Sequence, residues 1–251
     1  MQLIDVTAST AVLALMGPKS RDVLAPIVEG GRDAIDTVAL PFMRWRNATI
    51  AGAPVRMQRV TYVGELGWEL HIPVDFAVRV FEAIVEAGAP HGLRLAGYRA
   101  IESLRLEKGY RAWSSDIGPD HTPLEAGLGW AVKLKTSIDF IGRAALEVQR
   151  AQPLKKRLVG FIVDGIGRDD VILLGRETVF RDGKAVGWLT SAGWGYTIGA
   201  NVGYGYVRDA AGVSDAMLES GRYELEVAGE RVPARLVRRP LVDPVNARIR
   251  L

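Results

Sequence analysis

Cysteine is absent from the 251-residue chain. This excludes disulfides, zinc–thiolate sites, iron–sulfur clusters and thiol nucleophiles, and it agrees with an expected cytoplasmic location. Long hydrophobic runs are also missing. No apolar stretch approaches the roughly 20 residues that cross a bilayer, so no membrane partner is expected. The opening residues MQLIDVTAST show no basic region followed by an apolar one, and no signal peptide is expected there. Histidine is scarce: His71, His91 and His121 are far apart and none forms an HxxxH pair, so no metal site is expected. Gly193-Trp194-Gly195 and Gly203-Tyr204-Gly205 lack the strand before and helix after that a dinucleotide-binding loop requires. No GxSxG elbow occurs, although spacing alone leaves a Ser/His/Asp triad open.

Neither sign of charge dominates, with 32 basic and 29 acidic residues. A nucleic-acid binder concentrates its basic residues, so none is expected here. The densest basic cluster is Arg235, Arg238 and Arg239, with Arg248 and Arg250 close by. It reads as a solvated C-terminal edge, since charged side chains are normally exposed. The alternative is a docking surface for a polyanionic tail such as a polyglutamyl chain.

The composition, 48% hydrophobic and 24% charged, suits one large globular domain or two smaller ones. Val12–Met16 has the character of a strand, and Pro18 suits the first turn of a helix. Val23, Leu24, Ile27 and Val28 continue at helical spacing until Gly30-Gly31. Residues 35–50 are mixed, and Asn47 with Gly52-Ala53-Pro54 marks turns. Residues 55–62 and 68–72 alternate as strands, and Val63–Gly67 reads as the hairpin turn between them. Helices are expected after this hairpin, ending at Gly88, and over 96–108, ending at Gly109. This order predicts an α+β fold in which helices cover an antiparallel sheet. Beyond residue 156 short apolar runs alternate with turns, among them Asp182-Gly183, which predicts a small C-terminal β-barrel or sandwich. The polar stretch Gln152–Lys156 places the boundary, giving expected domains 1–152 and 153–251.

Three stretches carry possible chemistry. Tyr62 and Glu69 flank the expected turn, and adjacent strands would bring both towards one surface. A carboxylate there can accept hydrogen bonds from an amide-like N–H and an exocyclic amine, as a pterin or guanine edge offers, and an aromatic ring supplies a stacking face. The plainer alternative is a solvated Glu on a half-exposed strand. Glu102 and Arg105 in GYRAIESLRLEKGY stand at i and i+3 on one helix, reading as a salt-bridged helix end before they read as catalysis. Trp130 in TPLEAGLGW is either a core residue or a ring offered to a flat ligand.

Taken in order, these stretches resemble a known family. TYVGELGWELHIP, GYRAIESLRLEKGYRAW, TPLEAGLGWAVKL with DFIGRAAL, and RDGKAVGWLTSAGWGYTIG with GYGYV are similar to successive motifs of the glycine-cleavage T-protein superfamily. The match extends over essentially the whole chain from AVLALMGPKSRDVL. The wording of the second motif resembles the dimethylglycine/sarcosine dehydrogenase branch, and Ile101 stands where T-proteins proper carry Arg. The resemblance implies the aminomethyltransferase-type folate-binding fold followed by the family's β-barrel. It also implies tetrahydrofolate as ligand, with Glu69 gripping the pterin, Tyr62 lying along the folate, Trp130 packing against it, and Glu65 holding the hairpin or touching the ligand.

The implied function is a one-carbon transfer module that captures the unit released from an oxidised methylamine. The alternatives are a non-catalytic folate-binding or structural remnant, and a tetrahydrofolate-dependent demethylase or aminomethyltransferase. In the family a segment upstream of the A-L-x-G-P motif supplies an Asp that orients folate and amine. Here the motif begins near residue 11, so the chain is expected to lack that segment, and Asp5 comes too late to replace it. No catalytic residue is therefore assigned, and activity of the chain alone stays open. FAD is expected only from a separate oxidase subunit, and self-association is the other partner considered.

Overall fold

The computed structural model describes residues 2–251, which divide into two compact units, 2–101 with Val245–Leu251 and Glu102–Pro244. In the first, β1 (Thr10–Met16) leads through the short helix α1 (Ser20–Leu24) to β2 (Trp45–Ile50), β3 (Ala53–Gln58) and β4 (Gly67–Pro73). These strands form an antiparallel sheet in the order β1-β4-β3-β2. Then come α2 (Ala77–Gly88) and α3 (Tyr98–Lys108), and the division between units falls within α3. The second unit adds α4 (Arg143–Arg150), β5 (Lys156–Val163), β6 (Thr178–Arg181), β7 (Lys184–Gly195), β8 (Ala200–Arg208), α5 (Asp215–Ser220), β9 (Tyr223–Val227) and β10 (Glu230–Val237). Its strands close into a six-stranded barrel, β10-β5-β8-β7-β6-β9. The mixed α+β fold with a terminal barrel agrees with the sequence reading.

The sheet of the first unit is held by its covered face. Trp68, Leu70 and Ile72 of β4 are fully buried, as are Met57 of β3 and Ile50 of β2, and they pack with Leu24, Val80 and Ile84 from α1 and α2. Each such side chain contributes about 1.5–3 kcal/mol by leaving water. Ala51 and Gly52, at φ of 50° and 76°, make the tight turn between β2 and β3, a conformation that hairpin geometry demands.

Three local expectations need correction. The strand expected over 55–62 stops at Gln58, and the connection to β4 runs over 59–66. Arg59 turns inward instead, with its backbone N–H on the Arg44 carbonyl at 2.9 Å and Nη1 on that of Leu40 at 2.9 Å. The Thr61 hydroxyl then accepts from the N–H groups of Val63 and Gly64 at 3.2 and 3.1 Å, diverting the chain from the ladder. Tyr62 therefore lies in a bend and not on a strand. The first helix ends at Leu24 and not near Gly30, because Pro26 has no N–H to donate and its ring obstructs a preceding turn. Strand β2 falls within the stretch read as mixed.

The barrel is organised around a buried polar strut. Arg105, 1% exposed, reaches Asp116 at 2.6 Å, Ser191 Oγ at 3.1 Å and the Tyr110 carbonyl at 3.1 Å. Asp116 in turn accepts from Thr190 and Ser191 at 2.5 and 2.6 Å. Glu107 accepts from the N–H groups of Thr197 and Ile198 at 2.6 and 3.1 Å, and Lys108 pairs with Asp243 at 3.0 Å. The helix residues read as a salt-bridged end do pair, Glu102 with Arg105 at 2.7 Å. Their larger role is to carry the end of α3 into this network. Asp182-Gly183 closes the hairpin between β6 and β7 as expected, at φ of 50° and 78°.

Removing one partner of a buried ion pair leaves a stranded charge and costs ~3–5 kcal/mol, whereas an exposed pair is worth ~0–1 kcal/mol. Asp116→Ala should thus lower the urea midpoint of the second unit sharply, and Ala in place of Arg157, whose partner Asp215 lies at 2.5 Å on the surface, should barely move it. Burial pushes the Tyr204 hydroxyl up to about 12 from an ordinary 10. The unfolded chain therefore loses this proton first, and the stabilisation, complete below pH 10, should fade between pH 10 and about 12, measured as midpoint against pH.

Candidate functional site

The alternation of β4 puts Glu69 and His71 on the face opposite the core, since Trp68, Leu70 and Ile72 occupy the other. Glu69 lies between Ala14 of β1 and Gln58 of β3, and His71 between Val12 and Arg56. Across from Arg56 and Gln58 stand Asn47 and Trp45 of β2, and the Arg56 guanidinium lies 5.1 Å from the Trp45 ring centroid. This face is uncovered: Val12 is 52% and Trp45 60% exposed. It presents a carboxylate, an imidazole, a guanidinium, two amides and an indole on one flat surface. Glu69 and His71 approach to 4.0 Å, beyond hydrogen-bond distance. The carboxylate oxygens thus remain available to accept from a ligand, while small Ala14 leaves room beside them.

The connection before β4 aims that strand. The Leu66 carbonyl accepts from Gly17 N–H at 2.8 Å and from Ser20 Oγ at 3.1 Å, clipping the turn to the start of α1. A side chain at Gly67 would place its Cβ 2.4 Å from the Leu15 carbonyl oxygen and 2.3 Å from Met16 Sδ, so only glycine lets β4 lie this close to β1. Glu65 pairs with Arg248 at 2.9 Å.

Of the residues singled out from sequence, Glu69 stands on the open face, half-buried Tyr62 lies in the preceding bend, and Glu65 is engaged with Arg248. Trp130 belongs to the second unit, in a single helical turn, Gly129–Ala131, and is 81% exposed. It is not a core residue. Sequence reasoning missed Arg56, Gln58 and Trp45 as members of the face that carries Glu69. The alternation of 53–58 held part of that signal, but without β2 and the register of β3 there was nothing to align it with. The C-terminal arginines are largely neutralised: Arg235 by Asp164, Arg238 by Asp215 and Glu219, and Arg248 by Glu65. Hydrogen bonds from Arg157 and Arg238 hold the Asp215 carboxyl below its usual range. Among the described residues no cluster is placed to hold a metal ion, and no helix is long and apolar enough to cross a membrane.

The family comparison matches two models in sequence order. The GCVT N-terminal domain aligns with residues 1–136, and the glycine cleavage T-protein C-terminal barrel domain with residues 156–243. The chain is 42% identical to mitochondrial sarcosine dehydrogenase of Mus musculus over 251 residues, covering 99% of this chain and 27% of that protein. It is 35% identical to mitochondrial dimethylglycine dehydrogenase of Homo sapiens over 252 residues, covering 100% of this chain and 28% of that protein. The chain thus spans little more than a quarter of the length of these relatives. A solved structure, the glycine cleavage system aminomethyltransferase T from Bartonella henselae, superposes with a TM-score of 0.74 at 28% identity, over 94% of this chain and 60% of that one.

Close packing at Gly67 generates a test. Gly67→Ala should destabilise the first unit by ~1–3 kcal/mol, as overpacking does. The ion pair of Arg248 with Glu65 is partly exposed, and its loss in Arg248→Ala should cost ~1 kcal/mol or less. Denaturant midpoints of the two variants measure both.

Proposed function

From the chain's membership of the glycine cleavage T-protein family, we propose that it is a reduced-folate-binding, one-carbon transfer module of the sarcosine/dimethylglycine dehydrogenase branch. The observation that carries the reading is Glu69: a carboxylate in the middle of an open sheet face, with no hydrogen-bonding partner within reach among the described residues. That arrangement fits the amide N–H and exocyclic amine of a pterin, which a carboxylate can hold together. The branch assignment is supported by the dehydrogenase relatives and by the LRLEKGY motif.

A bound tetrahydrofolate supplies the nucleophilic nitrogens that take up a one-carbon unit. This chain's residues supply position. Glu69 fixes the ring's polar edge by hydrogen bonds that strengthen because the acceptor is charged. Gln58 beside it offers an amide able to donate or accept, and Tyr62 at the strand's approach offers a ring and a hydroxyl. Glu65 acts through its tie to Arg248, steadying the turn that aims β4. Such positioning lowers the barrier by holding reacting atoms at attack distance, and not by proton transfer. The contact of Trp130 with the ligand rests on its motif alone. We place the functional boundary at 1–152 and 153–251. The amine oxidation that would feed this module, with its FAD, is assigned to a separate oxidase polypeptide or domain.

Calorimetric titration with 5-formyltetrahydrofolate tests the reading. Hydrogen bonds to a charged group are worth ~1.5–3 kcal/mol, so Glu69→Ala should weaken binding by roughly ten- to a hundredfold. Unchanged affinity in Glu69→Ala, with the fold intact, would refute the role given to this carboxylate. Trp130→Ala should weaken binding without altering the melting temperature.

A further inference from the structure

The barrel wall holds a group of cations that the folate reading does not use. Most arginines of the second unit are neutralised by carboxylates, such as Arg157 and Arg238 by Asp215, Arg235 by Asp164 and Arg231 by Glu226. Arg208, Arg176 and Lys155 differ. Among the described residues no carboxylate lies within ion-pair distance of any of the three. They line two clefts that share Arg208: one of about 360 Å³ with Lys155, Lys156, Glu125 and Asp209, and one of about 510 Å³ with Arg176, Thr178, Ala185, Val186, Gly187 and Trp188.

Arg208 is built into this wall. Its guanidinium lies 3.9 Å from the Trp188 ring centroid, and Nη1 donates to the Tyr206 carbonyl at 3.2 Å. Stacking on an indole occupies a face of the guanidinium, and the N–H donors other than the one on Tyr206 remain for an oxyanion. Of the two carboxylates of the smaller cleft, Glu125 faces a cation and Asp209 is tied to a backbone N–H. Glu125 accepts from Thr122 N–H at 3.0 Å and lies 3.6 Å from Lys156 Nζ, while Asp209 accepts from Ala211 N–H at 2.8 Å. The larger cleft has the opposite character: a low apolar floor of Ala185, Val186 and Gly187 beside half-exposed Trp188, edged by Arg176 and the Thr178 hydroxyl.

From this juxtaposition we propose that the barrel wall is a second ligand site, taking a small molecule that joins a phosphate group to a flat ring, as a mononucleotide does. The phosphate sits against Arg208 and Lys155, and the ring lies over the floor beside Trp188. The site uses nothing from the Glu69 face, so either can fail without the other.

The probes are adenosine monophosphate, inorganic phosphate and adenosine, titrated calorimetrically into the full chain. The monophosphate should bind more tightly than either fragment, and Arg208→Gln should weaken it roughly tenfold or more, as loss of a charged fork does. Lys155→Gln, at an exposed position that the fold does not depend on, should weaken it by a smaller factor, and Glu69→Ala should leave it unchanged. Absence of binding, equal affinity for phosphate and the monophosphate, or undiminished affinity in both cation variants would overturn the proposal. Loss of binding in Glu69→Ala would overturn it too, by moving the ligand to the other face.

Discussion

The register of β4 is the constraint on which the functional reading depends. Trp68, Leu70 and Ile72 have no exposure, and with a side-chain period of two their burial fixes Glu69 and His71 on the opposite face. A slip of one residue would bury a carboxylate and an imidazole and expose an indole and two aliphatic side chains, an exchange that the core cannot tolerate. The loop before the strand guards the same register: Leu66 is clipped by Gly17 and Ser20, and the bare Cα of Gly67 admits close contact with β1. The most recognisable part of the sequence motif thus works as carpentry, and the acceptor it aims stands two residues further on.

A similar division of labour holds in the second unit. The LRLEKGY stretch that marks the family branch is not an exposed catalytic helix. Arg105, Glu107 and Lys108 are buried, and each is satisfied by partners from the barrel strands or the connecting loops. A buried charge is tolerable only when fully paired, so these side chains commit the end of α3 to one position. On the barrel wall, Arg208 is held by the Trp188 ring and not by a carboxylate.

Much of the fold was legible in the sequence because its strongest signals are local. Alternation gave β4, helical spacing gave α2 and α3, and Asp182-Gly183 gave the β6–β7 turn. Where prediction failed, non-local contacts decided the outcome. The Arg59 side chain turns inward to the Leu40 carbonyl, Pro26 cuts α1 short, and β2 is a strand because it pairs with β3, its own sequence having no clear period. Glu69 could be chosen from residue type and spacing together with family resemblance. Its neighbours Gln58, Arg56 and Trp45 could not, since only the register of three strands places them on one face.

Hydrogen–deuterium exchange of the chain, with and without 5-formyltetrahydrofolate, tests the central claim most directly, because it locates the ligand without altering any residue. The account predicts slower exchange on binding in the segment from Gln58 through His71 and in the adjoining part of β1. Protection confined to the barrel wall around Trp188 and Arg208, or no change across residues 58–71, would contradict it.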